Sequence, residues 1–356
     1  MTIRQWVRPN VLQMAGYTPG EQPQGKPVVK LNTNENPFPP PQPVLDALKA
    51  AVDGKLRLYP EPSARPVRQA AGMLYGIDPD QVVAGNGSDD LLTMILRTFV
   101  DPGEVVAAPD PTYTLYDPLT TLQGGQFHTV PWKADNTIPV SALVALNPKV
   151  IFITRPNAPT GHATPLSEVV RLCKSTKGVV VLDEAYGDFA NNSGLPLLAN
   201  HDNLIITRTF SKSGALAGMR IGLGFMSRDI ALQMHKVRDS YNLDKLAQVA
   251  AVAALENWDA YEPLIQAIRQ QRNHLRNQLN RRGFQVPESQ ANFLLAQVPQ
   301  GRRSGKEWLD DLKSAGYLIR YFGADPRLTD KIRITIGTEA EMTGFLQAVD
   351  KLLTDN

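Results

Sequence analysis

Between about residues 80 and 225 the chain alternates short apolar runs with amphipathic stretches. Each run contains three to five apolar, mostly β-branched residues and ends in a turn-forming or polar residue. Such runs are typical of strands buried on both faces. The runs are QVVAGNG, EVVAAPDP, KVIFITRP, GVVVLDEA and NLIITRTF, and helical patterns such as SDDLLTMILRTFV and PLSEVVRLCKST separate several of them. This alternation predicts an α/β unit with a mainly parallel sheet, in which ligands bind beyond the carboxyl ends of the strands.

The last third of the chain has a different pattern. A helical pattern starts at LDKLAQV and continues for some forty residues to Gly283, a C-cap candidate. Further strand candidates follow in SQANFLLAQV, GYLIRYFG and KIRITIG. A Pro-rich connector, NPFPPPQP, precedes the helical pattern PVLDALKAAV. We therefore predict an N-terminal segment over residues 1–36, a large domain over 37–245 and a smaller α+β domain over 246–356.

Composition narrows the classes of partner. The 356 residues are 42% hydrophobic and 20% charged, as in globular proteins, and 37 basic residues against 35 acidic ones leave a net charge of +2. This near-neutral charge gives no electrostatic reason to expect a nucleic acid or a membrane as partner. Neither a signal peptide nor an 18-residue apolar stretch is visible, so we expect a cytoplasmic protein. The single cysteine, Cys173, shares an apolar helical face and is expected in the core.

Polar side chains follow the predicted strands. GNGSDD leads from a strand into a predicted helix, which makes either an anion site or a simple Ser88 N-cap. Asp183 follows VVVL and either caps a helix or faces a ligand. Asn157 lies at a similar strand end, and Lys212 and Arg220 follow NLIITRTF, in a stretch that by itself favours an exposed loop.

Together these residues match the needs of pyridoxal phosphate. The cofactor requires a lysine that forms an imine and an acid that holds the pyridine nitrogen protonated. It also requires hydrogen-bond donors for its phenolic oxygen, a cradle for its phosphate and an aromatic ring to stack on it. The candidates are Lys212 and Asp183 for the first two roles, Asn157 and Tyr186 for the phenolic oxygen, Gly87, Ser88, Ser211 and Arg220 for the phosphate, and Tyr113 for stacking. No metal site is predicted.

The chain resembles a known family in motifs that extend over nearly its whole length. TFSKSGALAGMRIG resembles the cofactor-lysine motif of fold-type I pyridoxal-phosphate aminotransferases. More narrowly, the resemblance is to histidinol-phosphate aminotransferases and rests on LNTNENPFPPP, RLYPEP, GNGSDD, PTYTLY, RPNAPTG, VVVLDEAYGDF, SQANFLLA and IRITIGT. It implies an α/β fold with a large sheet domain, a smaller α+β domain and a homodimer.

The resemblance also implies roles for single residues. Lys212 is the cofactor lysine and then the general base and acid. Tyr59 reaches the cofactor phosphate from the partner subunit, and Arg333 binds the α-carboxylate of glutamate. Arg320 and Tyr17 match positions that contact the distal phosphate or carboxylate of the substrate. The remaining cofactor contacts are those already derived for Asp183, Asn157, Tyr186, Tyr113, Gly87, Ser88, Ser211 and Arg220.

The chain departs from the family pattern in three places. Ala158 follows Asn157 where a second asparagine is common, and the acidic run ends Asp89-Asp90 rather than Asp-Glu. After the lysine, Ser213-Gly214-Ala215 replaces the commoner Ala-Phe-Gly.

The implied reaction interconverts L-histidinol phosphate plus 2-oxoglutarate and imidazole-acetol phosphate plus L-glutamate. An aromatic or broad-range aminotransferase and a threonine-phosphate decarboxylase share the fold and stay open as alternatives. A non-catalytic cofactor-sensing module is disfavoured, because barely thirty residues precede LNTNENP.

Overall fold

The computed structural model describes residues 3–16, 20–22, 28–301 and 303–354. In chain order the strands are β1 (Val29–Lys30), β2 (Val82–Asn86), β3 (Val105–Asp110), β4 (Gln126–Pro131), β5 (Val150–Thr154), β6 (Val179–Asp183), β7 (Leu204–Thr209), β8 (Ile221–Phe225), β9 (Phe293–Gln297), β10 (Tyr317–Leu318), β11 (Arg320–Tyr321) and β12 (Lys331–Thr335). The α-helices are α1 (Pro9–Gln13), α2 (Gln42–Ala51), α3 (Arg65–Tyr75), α4 (Ser88–Phe99), α5 (Tyr116–Gln123), α6 (Val140–Ala145), α7 (Leu166–Ser175), α8 (Arg228–Val237), α9 (Lys245–Glu256), α10 (Glu262–Arg281), α11 (Gly305–Ser314) and α12 (Glu339–Thr354).

A seven-stranded sheet in the order β2-β8-β7-β6-β5-β3-β4 forms the centre of the fold. Only β8 runs against its neighbours, β2 and β7. All five apolar runs are strands, and the predicted mainly parallel α/β sheet is confirmed. Two strands of this sheet were missed. β4 lies at the edge with mostly exposed residues, and β8 contains Gly222 and Gly224, so neither has the apolar pattern of a buried strand.

Both faces of the sheet are buried, as the continuous apolar runs predict. In β6, Val180 and Leu182 join one core cluster, whereas Val181 between them joins the cluster on the opposite face. Cys173 lies in the first cluster, and burial raises the pKa of its thiol to about 11. The expected core location of this cysteine is therefore confirmed.

The C-terminal part contains a three-stranded antiparallel sheet in the order β11-β12-β9. The predicted forty-residue helical run is interrupted: a 3-10 turn, Trp258–Ala260, separates α9 from α10, and Gly283 follows with a φ of +86°. Helix α9 packs on α2 and α3, and β1 from the N-terminal segment pairs with β10. The division at residues 36 and 245 stays a prediction. Within the described ranges, no helix combines the length and apolarity that crossing a bilayer requires.

Candidate active site

A cavity of about 240 Å³ opens at the carboxyl edge of the central sheet, between it and the C-terminal sheet. Side chains from the ends of β5, β6 and β7 line it, together with the start of α4 and residues of β11 and β12. Of the residues predicted from sequence, the cavity lining includes Ser88, Tyr113, Asp183, Tyr186, Ser211, Lys212, Arg220, Arg320 and Arg333. Residues far apart in sequence thus meet where a parallel sheet binds ligands.

Lys212 follows β7, and its amine is desolvated inside this cavity. Nζ donates a hydrogen bond of 2.8 Å to the carbonyl oxygen of Thr33. Burial, and after it the positive charge of Arg333, lower the pKa of Lys212 to about 8. About a tenth of the amines are therefore neutral near pH 7, and a neutral amine is the nucleophilic form.

Asp183 ends β6 and is 3% exposed. Its carboxylate accepts hydrogen bonds from Tyr116 Oη at 2.8 Å, Thr207 Oγ1 at 3.1 Å and the Ala185 amide at 3.1 Å. Burial nevertheless raises the pKa of this carboxyl to about 6. A buried carboxylate held at a cavity wall is suited to pairing with a cationic ligand nitrogen.

Asp183→Asn is expected to stabilise the apoprotein. A carboxyl pKa raised from 3.8 to about 6 means that the ionised form costs the folded state about 2–3 kcal/mol above pH 6. An amide escapes this cost, and its Oδ1 accepts from Thr207 and Ala185 while its Nδ2 donates to Tyr116 Oη. In urea unfolding, the free energy of unfolding of the variant should equal that of the wild type below about pH 4. The difference in favour of the variant should grow between pH 4 and 6 and stay constant above pH 6. A variant less stable than the wild type near pH 8 would contradict this account.

An anion cradle lies at the start of α4. Gly87 precedes this helix with a φ of +83°, and a Cβ there would stand 2.5 Å from Nη2 of Arg220. Arg220 Nη1 donates to Ser211 Oγ at 3.1 Å, and Nη2 lies 3.3 Å from a carboxylate oxygen of Asp89. Free helix N–H groups, a guanidinium and a hydroxyl together suit a phosphate dianion.

Tyr186 and Tyr113 lie at the cavity wall, whereas Asn157 lies behind it. Tyr186 Oη accepts a hydrogen bond of 2.9 Å from Asn34 Nδ2, and the hydroxyl of Tyr113 lies 3.4 Å from Asp89 Oδ1. Both rings line the cavity, whereas Asn157 is buried behind it. Asn157 Nδ2 donates to the carbonyl oxygen of Pro111 at 3.1 Å, and its Oδ1 accepts from Thr160 Oγ1 at 2.7 Å.

Two arginines lie side by side across the cavity from the cradle. Arg320 of β11 and Arg333 of β12 are register partners. Arg333 Nη2 donates to the carbonyl oxygen of Asn32 at 2.9 Å, and its guanidinium lies 5.0 Å from the ring centre of Phe293 and 5.4 Å from that of Phe322. Two adjacent guanidinium groups favour an anionic substrate.

Three predicted residues within the described ranges are absent from the cavity lining, namely Gly87 and Asn157, described above, and Tyr59. Tyr59 is 81% exposed and stacks on Tyr241, with 4.4 Å between ring centres. It borders a separate cavity of about 530 Å³. Tyr17 lies outside the described residues.

Sequence reasoning assigned no role to several residues that shape the site. Tyr116, the main donor to Asp183, occurs in the same PTYTLY motif as Tyr113, but nothing local distinguishes it. Thr33 and Asn34 belong to LNTNENP, a motif quoted only for the resemblance.

Comparison with known proteins identifies the family. The profile of the family described as aminotransferase class I and II matches residues 26–349. The chain belongs to this family. The predicted resemblance is confirmed, and the fold is that of fold-type I aminotransferases.

Relatives and solved structures of aminotransferases match the chain over nearly its full length. The histidinol-phosphate aminotransferase of Microcystis aeruginosa is 44% identical over 97% of this chain and 98% of the relative. The one from Synechocystis sp. is 45% identical over the same shares of the two chains. The crystal structure of histidinol-phosphate aminotransferase from Sinorhizobium meliloti in complex with pyridoxal-5'-phosphate is 26% identical and has a TM-score of 0.87, covering 98% of this chain and 97% of that one.

Proposed function

We propose that this aminotransferase interconverts L-histidinol phosphate plus 2-oxoglutarate and imidazole-acetol phosphate plus L-glutamate, with pyridoxal phosphate as cofactor. The observation that carries the proposal is the convergence of Lys212, Asp183 and the Arg220 cradle on one cavity. The names of relatives at 44–45% identity support the choice of substrate.

The residues of the cavity fit pyridoxal phosphate in chemistry and in charge. Lys212 provides a desolvated amine, and Asp183 provides the buried carboxylate for the pyridine nitrogen. The phosphate would be held at Gly87, Ser88, Ser211 and Arg220, the ring would lie against Tyr113, and Tyr186 would donate to the phenolic oxygen. Asn157, predicted to donate to the same oxygen, lies behind the cavity lining. When bound, the cofactor withdraws electrons from the bonds at the substrate Cα.

The residues of this chain then bind the substrate and move its proton. Lys212 Nζ would take the proton from the substrate Cα and hold it for return to the carbon on the other side of the linking nitrogen, two bonds away, which requires the neutral amine that its lowered pKa provides. Arg333 holds the α-carboxylate of glutamate, and Arg320 with Tyr17 holds the distal phosphate or carboxylate. Two anion-binding arginines in one cavity suit a pair of substrates that carry different anionic groups.

The proposed enzyme is a cytoplasmic homodimer with shared active sites. Tyr59 lies outside its own cavity and borders an exposed apolar one, which supports a role for its hydroxyl in the active site of a partner subunit. Mixing subunits that carry Lys212→Ala with subunits that carry Tyr59→Ala should restore activity above either parent, because one site per mixed dimer is then intact. No restoration, with mixed dimers shown by native mass spectrometry, would contradict the shared site.

The substrate is tested by the visible absorption of the purified protein with bound cofactor. Titration with L-histidinol phosphate should bleach the band, and 2-oxoglutarate should restore it. If an aromatic amino acid bleached the band and histidinol phosphate did not, the proposed substrate would be wrong and the proposed cofactor would still be supported. Release of carbon dioxide from threonine phosphate would make the protein a decarboxylase instead.

The rate at which the apoprotein captures pyridoxal phosphate should follow the titration of Lys212. Because the pKa of this lysine is lowered to about 8, capture should accelerate about tenfold per pH unit below that value and level off above it. Stopped-flow absorbance at a series of pH values measures this rate. A midpoint near 10.5, the ordinary lysine value, would show that the amine is not desolvated.

A further inference from the structure

The segment Leu31–Asn36, LNTNEN, runs along the cavity and contacts the groups on both sides of it. The carbonyl oxygen of Thr33 accepts from Lys212 Nζ at 2.8 Å, and that of Asn32 accepts from Arg333 at 2.9 Å. Asn36 Nδ2 donates to the carbonyl oxygen of Lys212 at 3.1 Å. This segment therefore connects the cofactor side of the site with its substrate side, and Asn34 lies at its centre.

The side-chain amide of Asn34 has one defined orientation. The residue is 1% exposed and has a left-handed backbone with a φ of +58°. Its backbone N–H donates to Thr335 Oγ1 at 3.1 Å, and Thr335 Oγ1 donates back to Asn34 Oδ1 at 3.0 Å. Since Thr335 donates its single hydrogen to Oδ1, the oxygen of the amide faces the threonine. Nδ2 therefore faces Tyr186, 2.9 Å from Oη.

This orientation determines what the Tyr186 hydroxyl can do. A phenolic oxygen that accepts a hydrogen bond keeps its own hydrogen for donation to another acceptor. On the basis of the proposed function, we propose that Asn34 is a positioning residue that directs the Tyr186 O–H toward the phenolic oxygen of the bound cofactor. Thr335 lies two residues after Arg333, so the same series of hydrogen bonds links the substrate-binding strand β12 to that oxygen.

Asn34→Gly tests the proposal without adding charge, since glycine adopts a positive φ readily. The readout is the pH midpoint at which the visible band of the lysine-bound cofactor changes. A hydrogen bond to the phenolic oxygen stabilises its anionic form, so losing an aligned donor should raise the midpoint by about one pH unit. Asn136→Gly is the matched control, because Asn136 is an exposed asparagine with a φ of +60° in a turn away from the cavity. Its midpoint should equal that of the wild type.

A double-mutant cycle separates positioning from a general structural effect. Tyr186→Phe alone should raise the midpoint, and Asn34→Gly should add nothing in that background. An unchanged midpoint in folded Asn34→Gly, or an equal shift with and without the tyrosine hydroxyl, would overturn the inference. If Asn34→Gly does not fold, Thr335→Val replaces it, because this substitution removes the hydrogen bond to Oδ1 of the Asn34 amide. It should raise the pH midpoint by less than Asn34→Gly would. An unchanged midpoint in Thr335→Val would also overturn the inference. A wild-type protein that forms no visible band would instead refute the proposed function.

Discussion

Lys212→Ala is expected to lower kcat by at least about 10⁴-fold, because both the nucleophilic amine and the positioned proton carrier are lost. Lys212→Arg should be equally inactive, since a guanidinium keeps the charge but stays protonated and does not bond to the cofactor. Neither variant should show the visible band of the lysine-bound cofactor, although the anion cradle still binds its phosphate. Single-turnover kinetics with glutamate and absorption spectra measure the two effects.

The control for this substitution is Lys149→Ala. Lys149 is an exposed lysine paired with Glu104, remote from the cavity lining, and its loss should leave both kcat and the spectrum unchanged. A Lys212→Ala variant that retained the band and more than about a hundredth of the wild-type rate would refute the assignment of Lys212, because proton transfer by a positioned group contributes at least about 10²-fold.

Asp183→Asn is expected to lower kcat by about 10³-fold in the same variant that gains stability without the cofactor. Removing one partner of a buried ion pair costs about 3–5 kcal/mol, and here the partner left behind is the protonated pyridine nitrogen. The amide no longer keeps that nitrogen protonated, so the cofactor withdraws electrons less effectively. Steady-state kinetics with glutamate and 2-oxoglutarate measure the loss.

Asp202→Asn, at an exposed loop position, is the matched control and should change neither rate nor stability. A variant of Asp183 that was both more stable and fully active would show that this carboxylate does not serve the cofactor. Opposite changes in stability and rate are the expected signature of a buried charge retained for function.

The parts of the fold that were predictable are those whose physics is local. Continuous β-branched runs predicted β2, β3, β5, β6 and β7 because both of their faces are buried. Strand β8 was missed because it contains glycines, of which Gly222 serves the cradle: a Cβ there would stand 2.5 Å from the backbone nitrogen of Ser88. Close approach of two backbone segments leaves no hydrophobic signal in the sequence.

The site was partly predictable for a related reason. Lys212, Asp183 and Arg220 follow buried strands, and the carboxyl ends of parallel strands share one edge, so their convergence could be inferred. Tyr116 and Asn34 could not be found in this way. Their partners lie 67 and 152 residues away, in elements whose relative placement depends on the whole sheet.

The LNTNEN segment also has a consequence for how the protein is made. Thr33 precedes the lysine that binds its carbonyl by 179 residues, and Asn34 precedes Thr335 by 301. During synthesis from the N-terminus, this early segment emerges from the ribosome long before the partners that fix it exist. The large sheet can form first, but the last strand, β12, must emerge before the segment can dock. Docking of this segment, and with it the hydrogen bond to Lys212, should therefore begin only after β12 has emerged.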